Sequence, residues 1–307
     1  MNVIETFNLS KFYKNTCALN NVNMTLKKGD IYGLIGKNGA GKTTLMRIIC
    51  GLATQSEGGF SLFGESAPNA VIENRKKLSG IIESPALYKN FNARKNLECV
   101  AVLKGIDKNS KVIDELLEFS GLSGTNNKKV KFFSLGMKQR LAIAIALLGE
   151  PDLLILDEPV NGLDPVGIVE IRDMLKRLNK DKGVTILISS HILTELAHLA
   201  SCYGIINNGS LIEEISATEL ESKMAKTLNI VLAQIGDIGK ATAILKEKFG
   251  ISDFAVEGDT IAIKGNVNDK ASEINMAFAK EDISIKGISN LTMDLEQYFI
   301  EKTKGAL

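Results

Sequence analysis

Nine consecutive residues carry the strongest chemical signal in the chain: Gly36, Lys37, Asn38, Gly39, Ala40, Gly41, Lys42, Thr43 and Thr44. They satisfy G-x-x-x-x-G-K-[ST]. Glycines let the backbone turn so that successive N–H groups face inward, where they bind phosphate oxygens. An apolar run, IYGLIG at 31–36, precedes the loop and reads as a strand. TTLMRIICGL follows and reads as a helix, whose positive end points at the same anion. Lys42 is placed to bridge the β- and γ-phosphates. The Thr43 hydroxyl suits Mg²⁺, a hard ion that prefers oxygen. A chance glycine loop is a weak alternative with strand and helix both in place. The loop by itself means a nucleoside triphosphate and does not separate an ATPase from a GTPase or kinase.

A second run, LLILDEP at 153–159, ends in Asp157 and Glu158. An acidic pair in isolation is ordinarily a solvated strand end. Here it follows four apolar residues and comes about 115 residues after the phosphate loop. The reading is a carboxylate at the tip of the strand beside that loop, so Asp157 holds Mg²⁺ through water. Glu158 then stands next to the γ-phosphate and polarises the attacking water.

Residues 133–140 read FSLGMKQR, with the helical stretch LAIAIALLGEP after them. Ser134 is a good N-cap, with a hydroxyl able to contact phosphate. The element is a helix N-terminus aimed at an anion. An ordinary capped helix would explain Ser134 alone. The segment resembles the ABC signature, commonly LSGGQ followed by a basic residue and QR: Ser134 and Gly136 match, while Phe133, Leu135 and Met137 depart. With the motifs in this order, residues 1–215 resemble the ABC ATPase family.

That resemblance implies a P-loop NTPase, α/β in class. Its sheet is mostly parallel, with an antiparallel β edge and an inserted helical subdomain. It implies ATP and Mg²⁺ as ligands. It implies a head-to-tail homodimer with two ATP molecules held between phosphate loop and signature. Asp164, in NGLDP, resembles the D-loop residue that crosses the interface; a plain turn aspartate is the alternative. His191, after VTILISS, matches the switch histidine that contacts the γ-phosphate. Lys42, Glu158 and His191 are thus the implied catalytic set. His198 has no motif role. Tyr13 sits where the family stacks an aromatic under adenine. Glu83, in GIIESPALY, replaces the family's Q-loop glutamine. A carboxylate binds metal more strongly than an amide but repels phosphate. Glu83 is read as a metal-sensing residue with altered switching.

Rival readings fare worse. Chromosome-type ABC ATPases need a long coiled coil between the two Walker motifs, and about 110 residues leave no space for one. Translation-type members carry two cassettes, and this chain has one. A GTPase would need NKxD, which is absent. The retained Glu158 argues against a regulatory subunit with little turnover. The charge, 37 basic against 36 acidic residues, lacks the basic excess of a dedicated nucleic-acid binder; no nucleic-acid partner is expected.

Position in the cell follows from what the chain lacks. The opening residues MNVIETFNLSKFYKN have no apolar signal region. The longest apolar run, LAIAIALLG at 141–149, is about half the ~18 residues a membrane span needs. The family relation implies a cytoplasmic protein, peripheral on the inner membrane face through a separate permease. The four cysteines, Cys17, Cys50, Cys99 and Cys202, have neither disulfide nor metal spacing and read as free thiols.

Patterning divides the chain further. Strand-like runs at 31–36, 153–159 and 184–191 suit a parallel sheet buried on both faces. Residues 1–30 alternate and predict an antiparallel edge. Residues 84–150 predict the helical subdomain; 85–100, directly after Glu83, is the expected coupling surface for the permease. Residues 216–227 read as a polar helix or linker. Residues 228–307 read β-α-β-β-α-β and a last helix over 291–303, a small ferredoxin-like α+β domain with a regulatory or dimerising role. The variants IIESP and SLGMKQR resemble bacitracin and lantibiotic export or immunity ATPases. Several of those end in a segment similar to MDLEQYFIEKT at 293–303. Leu295, Tyr298 and Phe299 there form either an internal packing face or a partner surface.

Overall fold

The computed structural model describes residues 1–107, 111–223, 226–265, 270–292 and 295–304. In chain order the first elements are strands β1 (Asn2–Tyr13), β2 (Thr16–Val22), β3 (Thr25–Lys27) and β4 (Ile31–Ile35), helix α1 (Lys42–Ile49), β5 (Glu57–Leu62), α2 (Pro68–Asn74) and β6 (Leu78–Ile81). Helices α3 (Ala93–Leu103), α4 (Lys111–Phe119) and α5 (Leu135–Ala146) follow, then β7 (Leu153–Asp157), α6 (Pro165–Lys182), β8 (Thr185–Ser190), α7 (Leu193–Ala197), β9 (Cys202–Asn207) and β10 (Ser210–Ser216). The chain continues with α8 (Ala217–Lys223), β11 (Lys226–Leu232), α9 (Ile238–Phe249), β12 (Phe254–Glu257), β13 (Thr260–Lys264), α10 (Ala271–Lys280), β14 (Ile285–Thr292) and α11 (Leu295–Lys304). Two compact units emerge: Met1–Ala217, and a second beginning at Thr218.

The first unit is built on a six-stranded sheet in the order β10-β9-β4-β8-β7-β6. β9, β4, β8, β7 and β6 run parallel, and β10 is antiparallel to β9. Every residue of β4, β7 and β8 is buried, as continuous apolar runs covered on both faces require. β1, β2, β3 and β5 form the antiparallel sheet expected of the N-terminal residues. Helix α1 lies between the sheets. Its Leu45, Ile48 and Ile49 share one core with Ile4 and Leu62 on one side and Ile155 and Leu187 on the other. Burial of that much apolar area, at ~25 cal/mol per Å², holds the loop before α1 against both sheets.

The strand that ends in Asp157 comes up beside the phosphate loop, as read from the sequence, although β8 lies between β4 and β7. Helix α1 packs across the sheet onto β7, so a residue in its first turn reaches Asp157 past the end of β8. Between β6 and β7 the chain makes the helical insertion α3, α4 and α5. Helix α5 starts at Leu135, as the N-cap reading of Ser134 requires: its hydroxyl accepts from Met137 N at 3.2 Å.

The second unit carries a sheet in the order β12-β13-β11-β14, antiparallel at every pairing. With α9 and α10 between strands, this is the ferredoxin-like arrangement. Leu228, Ile230, Ile261 and Ile263 pack with Ile244, Leu245 and Phe278 in a core of its own. Its edges differ from the sequence reading. Within 216–227, α8 occupies 217–223 with Leu220 buried, and β11 already starts at Lys226; 224 and 225 lie outside the described residues. β14 extends to Thr292, since its pairing with β11 runs from Ile285↔Leu232 to Thr292↔Lys226. The final helix therefore begins at Leu295 rather than 291, and 293–294 of the MDLEQYFIEKT segment lie outside the described residues. Leu295, Tyr298 and Phe299 are buried.

Candidate functional site

The turn from β4 into α1 makes a cradle. A Cβ on Gly36 would lie 2.6 Å from the backbone oxygen of Ile206, so no side chain fits. Gly41 has φ +111° and stands as the N-cap of α1 with no side chain capping the helix, so the helix end is open to an anion. Residues 37–44, with Ala18 of β2 and Glu158, line a cavity of about 190 Å³. Lys42 is buried. Its ammonium donates to Gly36 O at 2.6 Å and to Lys37 O at 3.3 Å. It also lies 3.2 Å from Glu158 Oε1. That last contact is an ion pair by distance but not a hydrogen bond by angle, and Glu158 Oε1 is buried without a hydrogen-bond partner.

The acidic pair at the end of β7 splits its duties. Asp157 is buried; its Oδ2 accepts from Thr43 Oγ1 at 2.8 Å and its Oδ1 from Ser189 Oγ at 2.6 Å. Glu158 takes φ +50°, a conformation costing ~1–3 kcal/mol that survives only where surroundings impose it. Here its N–H donates to Ser189 Oγ at 2.9 Å. That turn aims Glu158 Oε2 at His191 Nδ1, 2.6 Å away. Lys42, Thr43, Asp157, Glu158 and His191 therefore form one connected group. Thr43 and Asp157 supply two hard oxygens side by side, a donor set that fits Mg²⁺. The loop fits a triphosphate: an uncapped helix end, a lysine held at the cavity and glycines where side chains would intrude.

Ser134, Gly136 and Asp164 form a second group. Asp164 caps α6 by accepting from Gly167 N at 3.1 Å, with Pro165 at the first helical position. A Cβ on Gly136 would meet Gly167 Cα at 3.7 Å, and one on Gly162 would meet Leu135 Cδ2 at 3.3 Å. The signature helix and the NGLDP turn thus pack on each other. Ser134 and Leu135 remain exposed.

Tyr13 ends β1, paired with Thr16 of β2, and its ring is exposed with Lys11 Nζ 4.8 Å from its centre. The same hairpin brings Ala18 to the cavity wall. Glu83 has φ +65° and is an exposed residue whose carboxylate is 2.5 Å from Arg47 Nη2 on α1. The Glu83 carboxylate is thus held by a guanidinium from α1.

Two residues escaped sequence reasoning. Ser189 joins Asp157 to the Glu158 backbone, and its signal was its place on buried β8, two residues before His191. Arg47 sits one helical turn beyond Thr43, and nothing in the sequence ties it to Glu83.

Fold and cradle together define a P-loop nucleotide-binding cassette. Residues 19–161 match the ABC transporter family model. The bacitracin transport ATP-binding protein BcrA of Enterococcus faecalis is 41% identical over 97% of this chain and 95% of its own. The lantibiotic transport ATP-binding protein SrtF of Streptococcus pyogenes is 47% identical over 67% of this chain and 88% of its own. Among solved structures, cbiO1 from Clostridium perfringens, part of the ABC transporter complex cbiONQ, aligns at TM-score 0.66 and 27% identity, over 72% of this chain and 91% of that one. The dimeric cassette MJ0796 bound to ADP and Pi aligns at TM-score 0.62 and 26% identity, over 70% of this chain and 98% of that one. The chain belongs to the ABC transporter ATP-binding proteins. It is the ATP-binding subunit of such a transporter, and no helix among the described residues is long and apolar enough to cross a membrane.

Proposed function

We propose that the chain hydrolyses Mg·ATP as one half of a head-to-tail homodimer and powers a separate permease that exports a peptide antibiotic. The observation that carries hydrolysis is the connected group Lys42–Glu158–His191, with Thr43 and Asp157 beside it. Glu158 accepts a proton from the attacking water, and His191 on Oε2 orients that carboxylate. General-base catalysis of this kind contributes ~10²–10⁴-fold. Lys42, released from Gly36 O and Glu158, neutralises charge on the transferring phosphoryl. Thr43 and Asp157 would hold Mg²⁺, which offsets the phosphate charge. Tyr13 provides a face for adenine.

The second group supplies the other half of the site. Ser134, capping α5, and Asp164, capping α6, present two helix starts on one exposed ridge, suited to the nucleotide of a second copy. The dimeric relative supports this reading. Glu83 reports the state of the site to the permease. An apolar groove of about 320 Å³, lined by Leu52, Ile82, Pro85, Leu87, Ala142 and Ile145, begins beside Glu83 and takes the permease. The bacitracin and lantibiotic names of the relatives support a peptide cargo. No nucleic acid is required, and the protein works on the inner membrane face.

The test is recovery of the tagged full chain from detergent-solubilised membranes. A multi-span permease should accompany it and raise its ATPase rate. Recovery of ribosomes or DNA instead overturns the transporter reading.

A further inference from the structure

Two acid-free segments meet on one face of the helical insertion. Residues 84–97 carry Lys89, Arg94 and Lys95 and no Asp or Glu; residues 120–134 carry Lys128, Lys129 and Lys131 and none either. The whole chain is balanced at +1, so this local excess is a departure. Backbone bonds knit the two segments together: Val130 N donates to Phe91 O at 2.8 Å and Lys131 N to Lys89 O at 2.9 Å. All six cations are exposed. Neighbouring carboxylates answer two of them, Asp114 on Arg94 and Glu98 on Lys95 at 3.6 Å. Among the described residues, Lys89, Lys128, Lys129 and Lys131 have no carboxylate partner.

The same face exposes aromatic rings. Tyr88 is 51%, Phe91 39% and Phe132 63% accessible. Tyr88 and Phe91 stand 5.6 Å apart, and Lys131 Nζ lies 5.0 Å over the Phe132 ring. A shallow hollow of about 350 Å³ lies among Asn90, Phe91, Asn92, Arg94, Lys95 and Lys129. Cations on flexible stems mixed with exposed rings suit an anionic boundary between water and hydrocarbon. They also suit single-stranded nucleic acid. Position decides between the two. The patch follows directly on Ser84–Leu87, which line the groove proposed above for the permease, and on that reading it lies on the side of the chain turned to the membrane.

We propose that this basic, aromatic face contacts the anionic phospholipid headgroups of the bilayer that holds the permease. The proposal rests on the reading of the chain as a permease-docked subunit. Attraction falls off within a Debye length, so the contact is salt-sensitive. It keeps the subunit beside the membrane and raises its local concentration around the permease.

The purified full chain is to be sedimented with vesicles of phosphatidylcholine alone and with vesicles containing phosphatidylglycerol. No nucleotide or permease is added, so failure here is distinct from failure of the transport reading. Binding should need phosphatidylglycerol and weaken as salt rises. Each lysine contributes about fivefold to partitioning, so Lys89→Gln, Lys129→Gln and Lys131→Gln combined should lose about a hundredfold. ATP binding by this variant should be unchanged and serves as the check on its fold; the single Lys129→Gln variant, with a loss of about fivefold, replaces it if it fails to fold. Equal binding to neutral vesicles, binding indifferent to salt or unchanged in the variants would overturn the proposal. So would a preference for a single-stranded oligonucleotide over the anionic vesicles.

Discussion

Ser189 Oγ donates to Asp157 Oδ1 at 2.6 Å while accepting from the N–H of Glu158 at 2.9 Å. One hydroxyl therefore orients the carboxylate proposed to hold Mg²⁺ and holds the strained residue that follows it. Ser189→Ala leaves a buried carboxylate oxygen without its donor, a loss of ~1–3 kcal/mol. The variant should need about tenfold more Mg²⁺ for half-maximal ATPase activity and should turn over more slowly when saturated. An unchanged Mg²⁺ dependence would remove Ser189 from the site.

Gly36 and Gly39 are both glycines of the cradle, and they should respond differently. A methyl group at Gly36 meets the Ile206 backbone, which cannot move aside, whereas one at Gly39 meets nothing within 4 Å. Overpacking of this kind costs ~1–3 kcal/mol. Thermal unfolding should show Gly36→Ala several degrees less stable. Gly39→Ala, with φ +82° as its only penalty, should lose ~1 kcal/mol. Equal losses would contradict the packing account.

Glu83 and Arg47 make an exposed pair, worth ~0–1 kcal/mol to stability. Glu83→Gln should therefore leave the melting temperature almost unchanged. It should alter the ATPase rate and its stimulation by the permease. Identical turnover and coupling would reduce Glu83 to a surface residue.

Burial pushes the thiols of Cys50 and Cys202 up to about 12. Desolvation disfavours their charged forms, so the folded state keeps both protons after the unfolded chain has lost them. The sign follows: stability is whole below about pH 9 and falls as pH rises from there towards 12, by about 1.4 kcal/mol per pH unit for each thiol. Urea unfolding across that range should show the slope, and Cys50→Ala should reduce it by the share of one thiol.

The parts legible in the sequence were those set by local chemistry. The glycines and Lys42 announced a phosphate cradle because few backbones other than this turn need that spacing. The runs at β4, β7 and β8 announced buried parallel strands because nothing polar interrupts them. The split β-α-β-β-α-β order was readable from the succession of strand-like and helical runs. Strand order was not legible. Placing β8 between β4 and β7 depends on how helices cross the sheet, a long-range matter that no window of residues encodes. For the same reason the sequence tied neither Ser189 to Asp157 nor Arg47 to Glu83: each pair lies more than 30 positions apart. The proposed two-surface character of the site rests on family resemblance. The structure adds that Leu135 rests on Gly162 and Gly136 faces Gly167, which joins signature and NGLDP turn into one ridge.

The central claim is that ATP joins two copies of this chain, each giving a cradle to one nucleotide and a ridge to the other. Analytical ultracentrifugation of Glu158→Gln with Mg·ATP tests it most directly. The account predicts a stable dimer that ADP does not support, with hydrolysis reduced ~10²–10⁴-fold, and no dimer when Lys42→Ala is added. A Glu158→Gln protein that stays monomeric at saturating ATP, or hydrolyses it at the normal rate, would contradict the account.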